Sequence, residues 1–343
     1  MNAIAANIVG LDLAKNVFQA YWIESETGEI RNVPIKRAKL IEHFANRAPC
    51  VVGMEACGGA QHWARELTKL GHEVVVLPAK AVKAFVMGNK SDAIDARAIW
   101  MAVRHGGIKQ VTVKTEAQQA TLALHRIRRQ LVKVRTMQIN EVRGLLTEYG
   151  EVFARGRAAL IRGIADALER LGARLPQVVI DSLLEQWERV GKVDEQVAQI
   201  ETRLKSLLKE DKNAQRLVAI PGVGLLTATA ISAAMGQADA FKSGREFAAW
   251  LGLAPAHTGT GGKTRMLGIS KRGDTYLRTL LIHGARSVLT HSKHLSAWQQ
   301  QISQRRPLNV VVVAMANKTA RTIWALLKHH REYQASWVSK APT

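Results

Sequence analysis

The sequence predicts an α/β N-terminal domain, long coiled-coil helices in the middle, and a mostly α-helical C-terminal domain with a helix-hairpin-helix element. Three observations carry this reading. Apolar strand-like runs alternate with helix-period segments over the first 110 residues. Apolar residues then recur at steps of three and four. Near residue 220 a Pro-Gly-Val-Gly turn separates two apolar helical segments. The expected domains are 1–112, 113–212 and 213–343.

In the first domain, NAIAANIVGLDLA and VFQAYWIES are β-rich runs, and Gly28 in ETGEI marks a turn. CVVGMEA around Glu55 is a further short strand, followed by a helical stretch that ends at Gly71. HEVVVLP is a strand stopped by Pro78. SDAIDARAIWMAVRHG has helical spacing and is ended by Gly106 and Gly107. In the middle region, Leu124, Ile127, Leu131 and Val134 form one seam. Beyond Gly172 and Pro176, a second runs through Ile180, Leu183, Trp187, Val190, Val193, Val197, Ile200, Leu204 and Leu207. Two long helices are expected, paired with each other or with a second subunit. In the last third, Gly222 and Gly224 of the IPGVG turn can offer backbone N–H groups to a phosphate. AHTGTGGKTRMLG is expected as a Gly- and hydroxyl-rich loop among helices.

The 343 residues carry 49 Lys and Arg against 28 Asp and Glu, a formal net charge of +21. Residues 213–343 hold 17 of the basic and 4 of the acidic side chains. Such a surplus repels itself unless a polyanion neutralises it, and nucleic acid is the expected partner. Two cysteines, Cys50 and Cys57, exclude a disulfide framework and a four-thiolate zinc site. Cys57 is expected to be a small buried residue. The longest strongly apolar stretch, near Val310 to Ala316, is expected to be too short to cross a bilayer. Asp12 lies within the N-terminal apolar run, which makes it a poor secretion signal. A soluble, reduced, cytoplasmic protein is expected, with no membrane partner.

Asp12 in VGLDLAK and Glu55 in VGMEACG sit inside apolar strand patterns, where a carboxylate is costly unless paired, protonated or bound to metal. Asp92 and Asp95 are three apart on one helical face. Four such acids can hold a pair of Mg²⁺ or Mn²⁺ ions about 3.5–4 Å apart, since hard oxygen donors suit these cations. Taken singly, each acid has a structural explanation, such as a helix cap at Asp92. Together, in a basic α/β protein, they favour metal.

GLDLAKNVF, GMEACGGAQHWAREL and NKSDAIDARAI resemble the N-terminal domain of insertion-sequence transposases of family one-ten, in its eleven-eleven branch. IPGVGLLTATA, FKSGREFAAWLGLAP, GGKTRMLGISKRGDTYLRTLLIHGAR and ANKTARTIWALL are similar to the C-terminal domain of the same family. The resemblance spans nearly the whole chain in the right order. It implies an RNase H-like, resolvase-type first domain whose DEDD acids map onto Asp12, Glu55, Asp92 and Asp95. It also implies recombination of donor and target DNA directed by an element-encoded noncoding RNA, in the bacterial cytoplasm at the nucleoid.

The resemblance further implies a C-terminal serine that attacks the DNA phosphate and stays linked to it. The family position falls on or beside Gly259, where this chain has no serine. Thr260 is the preferred replacement, with Thr258 and Ser270 as alternatives, because an activated threonine hydroxyl performs the same displacement. Ser270 could instead cap a helix before KRGD. Lys90, Lys263, Arg265, Lys271 and Arg272 are the expected nucleic-acid contacts, the last four near the reacting phosphate. Two duplexes must meet, so a homodimer or a dimer of dimers is expected. The competing readings are a metal-dependent junction endonuclease without a covalent intermediate, and a non-catalytic nucleic-acid-binding protein.

Overall fold

A computed structural model describes residues 7–89 and 91–335. The chain divides into two compact units, Met1–Thr115 and Glu116–Thr343.

The first unit is a mixed five-stranded sheet between helical layers. Its strands are β1 (Ile8–Asp12), β2 (Val17–Ile23), β3 (Ile30–Lys36), β4 (Val51–Glu55) and β5 (Glu73–Leu77). Their spatial order is β3-β2-β1-β4-β5. The first three pair antiparallel, whereas β4 runs parallel to both β1 and β5. The helices are α1 (Leu40–Ala45), α2 (Ala60–Lys69), α3 (Ala79–Val82) and α4 (Asp92–His105).

Strand alternation sorts the side chains into two faces. Val9, Leu11, Phe18, Ala20, Trp22, Val52, Met54 and Val76 form one core with Leu40 and Phe44 of α1 and Trp63, Ala64 and Leu67 of α2. On the opposite face Val51, Val75 and Leu77 pack with Ala98, Ile99 and Ala102 of α4. This face is cut back by Gly10 and Gly53. A Cβ on Gly10 would lie 2.3 Å from the Ala96 carbonyl oxygen, and one on Gly53 2.4 Å from Val103. The two glycines therefore let α4 lie almost directly on the strands. The sequence reading missed β3 and α1. β3 is an exposed edge strand containing Pro34, a residue that only an edge accommodates.

The second unit is helix-rich. It contains α5 (Glu116–Glu148), α6 (Arg157–Gly172), α7 (Gln177–Glu210), α8 (Lys212–Val218), α9 (Leu225–Met235) and α10 (Gly244–Trp250). After strands β6 (Pro255–Thr260) and β7 (Lys263–Ile269) come α11 (Thr275–His291), α12 (Ala297–Arg305) and α13 (Leu308–His329). Helices α5 and α7 run antiparallel, because Arg128 meets Glu201 while the later Arg135 meets the earlier Asp194, both at 2.7 Å. The sequence reading of two helices misses α6. Its Leu160, Ile164, Leu168 and Leu171 close a core with Ile139, Val142 and Leu146 of α5 and with Ile180, Leu183 and Val190 of α7. The expected α5 seam is only partly covered, with Ile127 46% exposed.

The C-terminal core gathers α8 to α11 and α13. Its centre is α9, apolar on every side and almost wholly buried, as expected of a fully enclosed helix. The Val310–Ala316 stretch proves to be part of the 22-residue α13, which is long and apolar enough to cross a membrane by length and composition alone. Here Val311, Val312, Met315, Ala316, Ala320 and Ile323 of α13 are core residues.

The expected loop at 256–268 is instead a β-hairpin. Gly261 (φ +56°) and Gly262 (φ +78°) form its two-residue turn, the conformation that matches strand twist. The sequence reading recorded the glycines but lacked apolar alternation to mark the strands, because both strands are almost wholly exposed.

Candidate active site

The alternation that builds the sheet also aims the acids. Asp12 shares a face with Gly10, and Glu55 with Gly53, which is the face covered by α4. Leu11 pairs with Met54, and the same parallel register carried one residue further brings Asp12 level with Glu55. Both acids end their strands and are half-buried. Asp92 and Asp95 occupy the first turn of α4, whose N-cap is Ser91; the Ser91 Oγ accepts from the Ile94 N–H at 3.4 Å. The cap role considered for Asp92 thus belongs to its neighbour. Asp92 is exposed and Asp95 half-buried.

The electrostatics register this convergence. The Asp12 carboxyl is pushed up to about 6, first by burial and then by the charges of Asp95, Asp92 and Glu55. A half-buried carboxylate repelled by three others is a poor structural device and a good cation receptor. Among the described residues, no group of three or more acidic, histidine or cysteine side chains stands close enough together to hold a metal ion. Cys57 is exposed, not buried, because it lies in the turn after β4. Its thiol is pushed up by partial burial and by Glu55 and Asp12, which places it at the margin of the acid set.

In the second unit, the hairpin register decides which side chains share a face. Thr258 pairs with Arg265, and Thr260 with Lys263. Residues two apart on a strand share a face, so both hydroxyls and both cations lie on one side of the ribbon, all exposed. Gly259 falls on the other side. A Cβ there would meet the Lys263 carbonyl oxygen at 2.3 Å, so this backbone leaves no room for a serine side chain. Ser270 is not a helix cap: Asp274 caps α11, while the Ser270 Oγ accepts from the Arg272 N–H at 3.4 Å. Lys271 has φ +53°, and its N–H donates to the Gly252 carbonyl. Gly222 (φ +82°) spends its missing side chain on a close approach to Gly284 of α11, leaving Gly224 as the exposed residue before α9. Lys90 lies outside the described residues.

Sequence reasoning passed over two features. Arg278 is buried and holds the 270–273 segment to α10 by donating to the carbonyls of Leu251 (3.0 Å) and Arg272 (3.3 Å). His125 is buried between Tyr276 (2.9 Å) and Thr229 (3.0 Å). The Thr229 hydroxyl already donates to the Leu225 carbonyl, so it accepts from His125 Nε2–H, and Nδ1 accepts from Tyr276. A basic residue within an otherwise apolar α11 stripe was the available signal for the first, but no pattern announced the second.

The comparison with known proteins decides the family. A probable family 20 transposase of Pseudomonas aeruginosa is 44% identical over 331 residues, covering 95% of this chain and 98% of that protein. The chain belongs to the IS110 family of transposases. The family's DEDD transposase model matches residues 9–151, and the Transposase IS116/IS110/IS902 family model matches residues 214–301. The transposase for insertion sequence element IS1111A of Coxiella burnetii is 40% identical, over 95% of this chain and 91% of its own length. That for IS1328 of Yersinia enterocolitica is 38% identical, over 93% and 96% respectively. The chain is therefore an insertion-sequence transposase, an enzyme whose substrate is DNA. Membership of a DEDD family points to a divalent-metal dependence, and carboxylate oxygens are the donor type that suits a hard cation.

Proposed function

We propose that this IS110-family transposase recombines DNA by a composite mechanism joining the acid set to a C-terminal hydroxyl. The observation that carries the reading is the convergence of Asp12, Glu55, Asp92 and Asp95 on the α4 face of the sheet. The strand order β3-β2-β1-β4-β5, in which only β2 runs against the other four strands, supports an RNase H-like first domain. The working parts are 1–112 for the acids, 113–212 for a coiled-coil helical region and 213–343 for the nucleophile and its helix-hairpin-helix.

Asp12, Glu55, Asp92 and Asp95 hold Mg²⁺ or Mn²⁺. When bound, such cations supply Lewis-acid stabilisation of the phosphate under attack. Thr260 is the preferred nucleophile, with Thr258 beside it on the same face and Ser270 third. Its Oγ forms a bond to phosphorus as the bond from phosphorus to a deoxyribose oxygen breaks. The hydroxyl proton passes to an ionised carboxylate, and the departing oxygen takes up a proton as a free sugar hydroxyl. Lys263 and Arg265 flank the hydroxyls and, with Lys271 and Arg272, neutralise the phosphate. Gly222 and Gly224 offer backbone N–H groups to a phosphate, and Lys90 is a further nucleic-acid contact. The phosphodiester link to the protein conserves the bond energy for rejoining. An element-encoded guide RNA pairs donor and target DNA, and the net charge of +21 suits two polyanions. A dimer or dimer of dimers brings acids and hydroxyls of different subunits together at the bacterial nucleoid.

One observation favours a second reading. The position implied for the family serine falls on or beside Gly259, where this chain has no serine, which suits a hydrolytic junction endonuclease using water. A covalent-adduct assay separates the two. The protein with its element RNA is given nicked donor DNA and Mg²⁺, denaturing gels detect linked DNA, and mass spectrometry locates the residue. An adduct on Thr260, Thr258 or Ser270 supports recombination through a covalent link. Metal-dependent cutting without an adduct supports hydrolysis.

A further inference from the structure

The acid set is only as good as the placement of the α4 first turn, and two side chains outside the set hold that turn. Gln19 of β2 donates from Nε2 to Asn32 Oδ1 of β3 at 2.6 Å. Asn32 donates from Nδ2 to the carbonyl oxygen of Ala93 at 3.1 Å. Ala93 lies between Asp92 and Asp95 in the first turn of α4. At the other end of the chain of bonds, Gln19 is the cross-strand partner of Asp12. Asn32 is likewise paired with Tyr21, whose ring meets Trp100 of α4 edge-on at 5.5 Å.

The direction of these bonds is dictated by chemistry. The Ala93 carbonyl can only accept, so Asn32 must turn its NH₂ towards α4. Its oxygen then faces Gln19, which must answer with its own NH₂. A leucine at 32 fills comparable space and makes neither bond, whereas one at 19 removes only the bond to Asn32. The two amides lie on the edge strand and its neighbour, where a bond that merely stabilises the sheet would have little value because water competes for it.

We propose that Gln19 and Asn32 are positioning residues of the transposase: they set the height of Asp92 and Asp95 over Asp12 and so tune cation affinity. The inference rests on the reading of the four acids as divalent-cation ligands. Groups that orient a ligand from behind it are worth about 10- to 100-fold in metal affinity, and an indirect backbone anchor belongs near the low end.

The test is a Mn²⁺ titration of the full-length protein followed by electron paramagnetic resonance, with thermal unfolding in cation-free buffer measured alongside. Asn32→Leu is expected to weaken Mn²⁺ binding about tenfold with little change in unfolding temperature. Gln19→Leu is expected to have a smaller effect, and none in the Asn32→Leu background, because Gln19 acts through Asn32. Asp12→Asn is the control and is expected to lose tight binding. If Asp12→Asn loses binding while Asn32→Leu and Gln19→Leu bind as the wild type does, the inference is overturned and the cation reading stands. If Asp12→Asn binds Mn²⁺ like the wild type, the cation reading falls and takes the inference with it. An effect of Gln19→Leu that persists in the Asn32→Leu background would overturn the ordered relay.

Discussion

The acid-bearing sheet and the hydroxyl-bearing ribbon present their chemistry in opposite ways. Asp12 and Glu55 end strands that are buried on both faces, and Asp92 and Asp95 ride on a helix pressed against Gly10 and Gly53. Thr258 and Thr260 stand on β6, which a two-glycine turn joins to β7, and neither strand has a fully buried side chain. A carboxylate cluster must be held rigidly, because mutual repulsion would otherwise spread it. A hydroxyl that reaches for a phosphate gains from an exposed arm. The two regions thus separate stability from reactivity: substitutions in the first are expected to affect folding and chemistry together, and those on the ribbon chemistry alone.

The sharpest test is Asp12→Asn, expected to reduce recombination by 10³-fold or more. The same variant should be more stable than the wild type in cation-free buffer at pH 7. The folded Asp12 carboxyl lies at about 6, above its ordinary 3.8, so its contribution to stability is fully present below 3.8 and is lost as pH rises through about 6. Removing the charge returns about 1–2 kcal/mol after discounting for partial exposure. Calorimetric melts of both proteins from pH 4 to 8 check this, and equal melting temperatures at pH 7 would break it.

Gly10→Val comes next. Its Cβ would sit 2.3 Å from the Ala96 carbonyl oxygen, and helix backbone cannot yield as a side chain tip does. A loss of about 3 kcal/mol in urea unfolding is expected, with α4 and both its acids displaced.

His125 provides a comparison within the second unit. Burial holds it down at about 4 from an ordinary 6.5, so the stability that depends on its neutral form is present above 6.5 and drains away as pH falls towards 4. The loss should approach about 3 kcal/mol. His125→Gln should flatten that part of the stability–pH curve, as followed by chemical denaturation between pH 4 and 7.

The smallest effect on folding is expected on the ribbon. Met266 is 65% exposed, so Met266→Ser should change stability by less than about 0.5 kcal/mol. A larger loss in thermal melts would mean that the ribbon is part of a packed surface and would erase the contrast between the two regions.

Much of the first unit was legible from the residues. Strands β1, β2 and β4 announce themselves as apolar runs because interior strands bury both faces, and β5, although an edge, buries both too, with Val76 in one core and Val75 and Leu77 in the other. The edge strand β3 was illegible because an edge can be polar and hold Pro34. Helix α6 was passed over because its apolar stripe was not separated from its longer neighbours. The acids could be chosen from the cost of a carboxylate in an apolar run, but not which of them would feel the others.

The sequence by itself determined the family and the net charge and singled out four acids for test, since these reside in residue types and their spacing along the chain. Only the tertiary structure decided that Asp12 and Glu55 stand level, that α4 approaches through two glycines, and that Thr258, Thr260, Lys263 and Arg265 share a face. Spacing constrains neighbours along one element. Register between elements depends on hydrogen-bond ladders and close packing, and a shift of one residue would turn every one of these side chains to the opposite face.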